Sequence, residues 1–219
     1  MRSQRCYRIL IVDDHPMMRE GLCTLISRER DLIVCGEAET AGEALDALTK
    51  LKPDLVLADI TLPGPNGIEL IKDICALQQD MLILVISMHD ESLYAERVLR
   101  AGARGYIMKQ ESGPAMMQAI RQVLAKRIYL SDKMSALILE NVVGKRTEAS
   151  PIKRLSDREW EVFQLIGRGR STVQIAEELH LSPKTVEAHR AHVKEKLDLK
   201  TMTELVSFAS RWVETQDAR

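Results

Sequence analysis

Short apolar segments alternate with amphipathic segments along the first 128 residues or so. The apolar segments are rich in Ile, Val and Leu and show no clear two-residue alternation, which is typical of strands buried on both faces. They are Tyr7–Val12, Leu32–Cys35, Leu55–Ala58, Leu82–Ile86 and Gly105–Met108. The segments between them have helical spacing, as in Met17–Ser27 after Pro16, or carry a capping-box pattern, as in Thr40 with Glu43. Five strand–helix repeats predict an α/β fold, a doubly wound five-stranded parallel sheet with helices on both faces.

The pattern changes after residue 128. A short helical segment, Ser131 to about Val143, precedes a polar run that contains Pro151, so residues 129–153 are predicted to form a helical segment and a linker. From Leu155 onward four helix starts follow one another, three with capping-box spacing and one with a serine before a proline. They are Ser156 with Glu159, Ser171 with Gln174, Ser182 with Pro183, and Thr201 with Glu204. Residues 154–219 are therefore predicted to form a small all-α domain of four helices.

Composition narrows the class of protein without naming a function. The chain is 45% hydrophobic and 29% charged, as is typical of globular proteins. No apolar stretch approaches the length that spans a bilayer, and the first apolar run is too short for a signal peptide, so we expect no membrane contact and a cytoplasmic protein. Cys6, Cys23, Cys35 and Cys75 lack metal-ligand spacing and are predicted to be buried reduced thiols. Residues 144–219 carry 14 basic and 12 acidic side chains, so any DNA-binding role must rest on motif and geometry.

Polar side chains stand at the ends of four predicted strands. Strand one ends in Asp13-Asp14, strand three in Asp59, strand four in Ser87, and strand five runs to Lys109. The carboxyl ends of parallel strands meet at one edge of the sheet, where ligands bind. Clustered carboxylates repel one another unless a cation joins them, and an all-oxygen site suits Mg2+.

Such a site predicts phosphoryl transfer to an aspartate, because a carboxylate can attack phosphorus and the metal, Lys109 and Ser87 can stabilise the transferring group. Asp59 is the best candidate acceptor since it directly follows a buried strand, although this reasoning alone does not exclude Asp13 or Asp14.

The same segments resemble the receiver domains of two-component response regulators. The resemblance covers the whole N-terminal domain, residues 1–128, and implies a flavodoxin-like fold. Its motifs are Ile11–Pro16, Asp54–Asp59 with Leu62-Pro63-Gly64 and Gly67, Ser87, and Gly102 and Gly105-Tyr106 with Lys109.

The resemblance also implies roles for individual residues. Asp59 would be the phosphoacceptor, and Asp13, Asp14, Asp59 and the backbone carbonyl of Thr61 would hold Mg2+. Ser87 would turn toward the phosphoryl group, while Tyr106 would swing inward to fill the vacated space. His15 could serve as a phosphocarrier or metal ligand, but at a helix start beside Pro16 it is interpreted as structural.

The helices Thr172–Leu179 and Pro183–Leu197 are separated only by His180-Leu181-Ser182, which is the spacing of a helix-turn-helix whose second helix enters the major groove of DNA. Val186, Val193 and Leu197 fall on the face expected to pack inward. A helical hairpin for protein contact is the alternative. Against it, Leu155–Glu159 and the segment from Ile175 to Leu197 resemble the LuxR-type DNA-binding domain, over about residues 155–212. Joined to a receiver, this domain defines the NarL/FixJ subclass of response regulators.

The second helix supplies the candidate DNA contacts. Four side chains are expected to contact phosphates, which position the helix without reading sequence, namely Lys184, Thr185, Arg190 and Lys194. Ala188 and Ala191 suit thymine methyl groups. Glu187 has two equally weighted interpretations, as an acceptor from cytosine N4 or as a solvated partner of Lys184 or Arg190.

The function that these features predict is that of a transcriptional regulator controlled by phosphorylation rather than that of a dedicated enzyme. A sensor histidine kinase or a small phosphodonor would phosphorylate Asp59, and the chain would then form a homodimer and bind the half-sites of a double-stranded operator. Two alternatives are a phosphorylation-independent DNA-binding regulator and an aspartate-nucleophile phosphatase. Haloacid-dehalogenase-like phosphatases carry a second acid two residues after the nucleophile, where this chain has Thr61.

Overall fold

The five apolar segments form the sheet of the first of two compact units. The structure is a computed structural model that describes residues 5–62, 67–142, 151–179 and 181–217. The strands are β1 (Tyr7–Val12), β2 (Leu32–Ala38), β3 (Leu55–Ala58), β4 (Leu82–Ser87) and β5 (Gly105–Met108). They are parallel and lie in the order β2-β1-β3-β4-β5. The predicted doubly wound parallel sheet is therefore confirmed.

Helices cover both faces of this sheet. They are α1 (Pro16–Ser27), α2 (Ala41–Leu51), α3 (Gly67–Leu77), α4 (Glu91–Ala101), α5 (Gly113–Leu124) and α6 (Asp132–Val142). Ile9 and Ile11 of β1 join one core with α1 and α5, whereas Leu10, between them in sequence, faces α2. Because both faces are covered, the strands need apolar residues at successive positions, which explains the runs without alternation.

The segment between α5 and α6 is hydrogen-bonded to the edge of the sheet. Tyr129 accepts a hydrogen bond from the backbone N–H of Tyr106 (3.1 Å) and donates one to the carbonyl of Arg104 (3.0 Å), so it extends the sheet beside β5. The backbone N–H of Ser131 then donates to the carboxylate of Glu91 in the first turn of α4 (2.9 Å). The first unit spans Met1–Val143 and thus includes α6. The boundaries that we predicted at residues 128 and 153 stay a prediction, and the predicted polar linker 144–150 lies outside the described residues.

The second unit, Gly144–Arg219, is helical as predicted. A 3-10 turn (Pro151–Arg154) precedes α7 (Asp157–Gly167), α8 (Thr172–Glu178), α9 (Pro183–Lys196) and α10 (Met202–Asp217). Its core joins α7 to α10 through aromatic rings with centroids 4.8–5.9 Å apart, which belong to Trp160, Phe163, Phe208 and Trp212. Such ring contacts make a large contribution to a core this small.

The predicted helix starts are present, with one difference between serine and threonine caps. Ser156 and Ser171 form complete capping boxes, in which the side chain of the third helical residue returns to the serine N–H. Thr40 and Thr201 also accept from the third residue's N–H. There, however, the glutamate reaches one residue further back and accepts from the N–H of Glu39 or Lys200.

Two further expectations concern the cysteines and membrane contact. All four cysteines are free, but the prediction that they are buried was wrong, because Cys6 is exposed and Cys23, Cys35 and Cys75 are half-buried. Cys6 precedes β1, and Cys23, Cys35 and Cys75 lie within α1, β2 and α3 on faces that are only partly covered, which cysteine spacing alone does not reveal. Among the described residues, no helix has the length and apolar character needed to cross a bilayer.

Candidate functional site

The carboxyl ends of β1 and β3 bring two buried acids onto one lysine. Asp13 and Asp59 are both 2% exposed. Lys109, one residue beyond β5, places its Nζ 2.7 Å from Asp13 Oδ2 and 2.7 Å from Asp59 Oδ2. Its backbone N–H donates to the carbonyl of Ser87 (2.7 Å), which holds the end of β5 against β4. The structure therefore brings together the acids and the lysine that the sequence placed on separate strands.

The loop after β3 is held tightly around Asp59. The backbone N–H of Thr61 donates to Asp59 Oδ1 (2.9 Å), and the N–H of Gly67 donates to the carbonyl of Ile60 (3.0 Å). A Cβ atom at Gly67 would lie 2.4 Å from both the carbonyl oxygen of Asp59 and the Cα atom of Ile60. Only glycine permits this approach of α3 to the acid. Residues 63–66, part of the predicted motif, lie outside the described residues.

Asp14 and His15 complete the acidic cluster on the β1 side. His15 Nδ1 lies 2.7 Å from Asp14 Oδ1 and 3.2 Å from Asp13 Oδ1. Asp14 Oδ1 is buried, yet within the described part of the chain it accepts no hydrogen bond of acceptable geometry. Arg19 of α1 donates to the backbone carbonyl of Asp13 (2.7 Å) and also contacts Glu37 and Glu39, so it fixes the chain beneath the acids.

The pKa values of Asp59 and Lys109 are both raised, which disfavours the charged form of the aspartate and favours the charged form of the lysine. Burial raises the pKa of Asp59 above its usual value, although the hydrogen bond from Lys109 opposes this. Burial alone would lower the pKa of Lys109, but hydrogen bonds to Asp13 and Asp59 outweigh it and the pKa is raised. The site therefore favours the charged form of Lys109, and it compensates the negative charge of Asp59 only in part.

The donor set fits a divalent cation. Ligand atoms of Asp13, Asp14, His15 and Asp59 all lie within 4.8 Å of one another. Three carboxylates against one ammonium leave two formal negative charges to be balanced. The buried Oδ1 of Asp14 lies beside His15 Nδ1 but accepts no hydrogen bond of acceptable geometry within the described residues, so it is open to a further ligand. These oxygens suit a hard ion such as Mg2+, which binds through one or two carboxylates and keeps several waters.

Ser87 and Tyr106, predicted to move together, both contact His89. Ser87 is fully buried, and its Oγ accepts a hydrogen bond from the N–H of His89 (3.1 Å). Tyr106 is also fully buried and donates its hydroxyl to the carbonyl of His89 (2.8 Å). Burial raises the pKa of Tyr106 well above its usual value, so the hydroxyl stays a donor. The ring of His89 stacks on Tyr94 and contacts Thr61 Oγ1 (3.2 Å), which joins the loop of Asp59 to α4.

In the second unit, α8 and α9 form the predicted pair of helices. Ser182 caps α9 by accepting from the N–H of Thr185 (3.1 Å), and Pro183 occupies the first turn. Val186, Val193 and Leu197 are buried, as predicted for the inward face. Arg158 of α7 donates to the carbonyl of Leu179 (2.9 Å) and so fixes the end of α8. His180, in the predicted turn, lies outside the described residues.

The outward face of α9 presents most of the predicted DNA contacts. Lys184, Thr185, Glu187, Ala188 and Ala191 are exposed, whereas Lys194 and Arg190 are half-buried. Arg190 turns toward α8, where its guanidinium donates to Thr172 Oγ1 (2.5 Å). Thr172 in turn donates to Glu187 Oε1 (2.6 Å), and Glu187 lies 3.6 Å from Arg190. In this structure Glu187 thus contacts side chains of α8 and α9. These contacts agree better with its interpretation as a partner of Arg190 than with that of an acceptor from cytosine N4.

The family follows from comparison with known proteins. Residues 9–121 match the family described as "Response regulator receiver domain", and residues 153–209 match "Bacterial regulatory proteins, luxR family". The chain is 35% identical over 208 residues to the oxygen regulatory protein NreC of Staphylococcus haemolyticus, which covers 92% of this chain and 96% of that one. The chain belongs to the response regulators.

Two solved structures of response regulators are similar to this chain. RcsB of Salmonella enterica serovar Typhimurium, bound to promoter rprA in the presence of the phosphomimetic BeF3−, is 26% identical with a TM-score of 0.67 and covers 94% of this chain and 99% of that one. A LuxR-family two-component response regulator from Aurantimonas is 40% identical with a TM-score of 0.59, over 63% of this chain and 99% of that one. This response regulator is thus a DNA-binding transcription regulator of the NarL/FixJ type.

Sequence reasoning missed several residues around the site of this response regulator. His15 was interpreted as structural, yet its ring contacts two of the acids. His89, Arg19 and Thr172 were not singled out, because a lone histidine, arginine or threonine in a helix or loop carries no sequence signal. For His89, its position two residues after Ser87 was the only available hint.

Proposed function

We propose that this response regulator accepts a phosphoryl group on Asp59 with Mg2+ bound by Asp13, Asp14, Asp59 and the backbone carbonyl of Thr61. The observation that carries the proposal is the bridge of Lys109 to the buried Asp13 and Asp59 at the carboxyl edge of the sheet. A buried ammonium between two carboxylates is costly as a purely structural element, and it is suited to a site through which a highly charged group passes.

Each residue has a role in the reaction. Asp59 Oδ attacks phosphorus while the bond from phosphorus to the donor breaks, which produces an acyl phosphate. The leaving atom is an imidazole nitrogen when a phosphohistidine is the donor and the bridging oxygen when acetyl phosphate is the donor. An Mg2+ ion held by Asp13, Asp14, Asp59 and the carbonyl of Thr61 would supply positive charge to the transferring phosphoryl group. Lys109 provides a second fixed cation at the same group, and the hydroxyl of Ser87 provides a hydrogen-bond donor. Thr61 N–H orients the Asp59 carboxylate before the attack, since it already holds Oδ1.

The phosphoryl signal is proposed to leave the site through His89 and α4. When Ser87 turns to the phosphoryl group, it releases the N–H of His89, whose carbonyl also holds the hydroxyl of Tyr106. Glu91 then connects the start of α4 to Ser131 at the start of α6. The segment after the receiver would therefore respond to the state of Asp59, as a shift between populations of two receiver conformations.

The output is proposed to be operator binding by a homodimer. Lys184, Thr185 and Lys194 of α9 would contact phosphates, with Ala188 and Ala191 against thymine methyl groups. Arg190 would have to leave Thr172 before it reached a phosphate. The phosphodonor is proposed to be a sensor histidine kinase, and residues 1–128, 129–153 and 154–219 are proposed as receiver, connecting segment and DNA-binding domain.

The chemistry at Asp59 is tested by incubating the full chain with acetyl phosphate and Mg2+ and measuring intact mass. We expect one phosphoryl group per chain, mapped to Asp59 and absent from Asp59→Asn. Phosphorylation that survives in Asp59→Asn would transfer the role to Asp13 or Asp14. Turnover of small phosphate esters would instead indicate a phosphatase, and phosphate-independent DNA binding would indicate a regulator with a silent receiver.

A further inference from the structure

Hydrogen bonds of its backbone fix His15 in place, but its side chain does not cap helix α1 as the side chain of an N-cap residue usually does. Its N–H donates to Asp13 Oδ1 (2.9 Å), and its carbonyl accepts from the N–H groups of Met18 and Arg19. It is the N-cap residue of α1, yet its side chain makes no capping hydrogen bond. A capping side chain would accept from the N–H of the second or third helical residue. The imidazole is instead directed at the carboxylates.

The ring is also too exposed for a packing role. The side chain of His15 is 62% exposed, so it contributes little to a hydrophobic core. Its Nδ1 lies 2.7 Å from Asp14 Oδ1 and 3.2 Å from Asp13 Oδ1. In this structure the contact with Asp14 has the distance of an ion pair or hydrogen bond from Nδ1–H. Capping and burial do not account for the position of the ring, and with the proton on Nε2 the same nitrogen would face an ion held by these carboxylates.

We propose that His15 is a nitrogen ligand of the acidic site and gives it a preference for first-row transition ions, such as Mn2+, over Mg2+. The inference rests on the proposed function only in using the same metal site. One ligand atom from each of Asp13, Asp14, His15 and Asp59 falls within 4.8 Å of the others. Ligands about 2.1 Å from one ion lie at most about 4.2 Å apart, so a contraction of well under 1 Å lets them share an ion.

The preference follows from ligand chemistry. Mg2+ takes oxygen ligands almost exclusively, whereas imidazole binds the transition ions and strengthens along the series from Mn2+ to Cu2+. A site of three carboxylates alone would discriminate weakly between Mg2+ and Mn2+. Adding one imidazole stabilises the transition ion selectively.

The test is pulsed electron paramagnetic resonance of the full chain with one equivalent of Mn2+, which detects a directly bonded 14N nucleus. We compare the wild type with His15→Ala and with His192→Ala. His192 is a matched control, because its side chain is 60% exposed and its Nδ1 lies 3.8 Å from the carboxylate of Glu159, on the other unit. Titration of Mn2+ against Mg2+ on the same three proteins gives the selectivity.

We expect 14N coupling in the wild type and in His192→Ala, its loss in His15→Ala, and a fall of about tenfold in the preference for Mn2+ over Mg2+. Labelling the histidines with 15N should change the coupling pattern. Absence of nitrogen coupling in the wild type, or its persistence in His15→Ala, overturns the proposal. The ability of each protein to take up a phosphoryl group in Mg2+ is measured separately. A wild type that binds Mn2+ through nitrogen but is not phosphorylated would therefore refute the proposed function and leave the His15 inference standing.

Discussion

At the scale of single residues, the site depends on charges that would be unfavourable alone. Asp13, Asp59 and Lys109 are almost completely removed from water, and each is stable there only because the others are present. Removing one partner of a buried ion pair destabilises the fold far more than replacing the whole pair by apolar residues, because an uncompensated charge remains. This difference gives the first prediction.

Lys109→Met should destabilise the receiver by about 3 kcal/mol in the absence of divalent ions, since two buried carboxylates lose their cation. Mg2+ should restore more stability to the variant than it adds to the wild type. Urea unfolding followed by circular dichroism measures both. Lys50→Met is the control, because Lys50 forms an exposed pair with Asp46 that should contribute less than about 0.5 kcal/mol. Equal losses for the two lysine variants would contradict the account.

Gly67→Ala should slow phosphorylation of Asp59 by acetyl phosphate and lower the thermal stability of the receiver. The added methyl group would collide with backbone atoms of Asp59 and Ile60, which cannot move aside as a side chain can. Gly42→Ala, at the second residue of α2, meets no atom within 4 Å and should be neutral or slightly stabilising. A neutral Gly67→Ala would show that the loop is not fixed by this contact.

At the scale of helices, the capping boxes link local sequence to packing. Glu159 closes the box of Ser156 and also accepts from Lys196 at the end of α9 (2.6 Å), so one carboxylate both starts α7 and anchors the candidate recognition helix. Burial opposes its ionisation, but the hydrogen bonds from Lys196 and Ser156 outweigh burial and lower its pKa.

Glu159→Gln should therefore destabilise the second unit at neutral pH while preserving the capping hydrogen bond. A carboxyl group with a lowered folded-state pKa contributes stability above its ordinary value of 4.5, and this contribution is lost as pH falls through the folded-state pKa. The difference between wild type and variant should thus shrink below pH 4.5. Tryptophan fluorescence reports it, because both tryptophans, Trp160 and Trp212, lie in this unit. A difference that does not change with pH would rule out the ionic contribution.

The predicted phosphate contacts of α9 are tested by measuring how the affinity for DNA depends on salt concentration. Lys184→Ala and Lys194→Ala should each weaken binding to non-specific duplex DNA and reduce the slope of log affinity against log salt concentration by about 0.9, because each removes one phosphate contact. Fluorescence anisotropy over a range of salt concentrations measures the slope. Lys50→Ala, in the first unit, should leave it unchanged, and slopes unaffected by either α9 substitution would place the DNA contacts elsewhere.

The bounds of the strands could be predicted from the sequence more accurately than the contacts between side chains. β1, β3 and β5 begin and end where predicted, because each is a short buried run with a polar residue beyond it. β2 continues three residues past the predicted end, through Gly36 and Glu37, because an edge strand pairs by backbone whatever its side chains. Asp13, Asp59 and Lys109 were placed together because parallel strands end at one edge. The contacts of Arg19, His89 and Arg190 depend on the packing of particular helices, which no sequence spacing encodes.

At the scale of the whole molecule, two units of different architecture occupy one chain, and the structure suggests how a signal would leave the first. Tyr129 pairs with β5 beside Tyr106, and Ser131 is held by Glu91 of α4. Both contacts join Tyr106 or α4 to the start of α6, the last described element of the first unit. In the proposed mechanism, a change at Asp59 that repositions α4 would therefore reach the start of α6.

The central claim is that the state of Asp59 controls assembly. Sedimentation velocity of the full chain in Mg2+, with and without beryllofluoride, tests it most directly when Asp59→Asn is run beside the wild type. We predict that beryllofluoride converts the wild type from monomer to dimer and leaves Asp59→Asn a monomer. A wild type that does not respond, or an Asp59→Asn chain that dimerises to the same extent, would contradict the account.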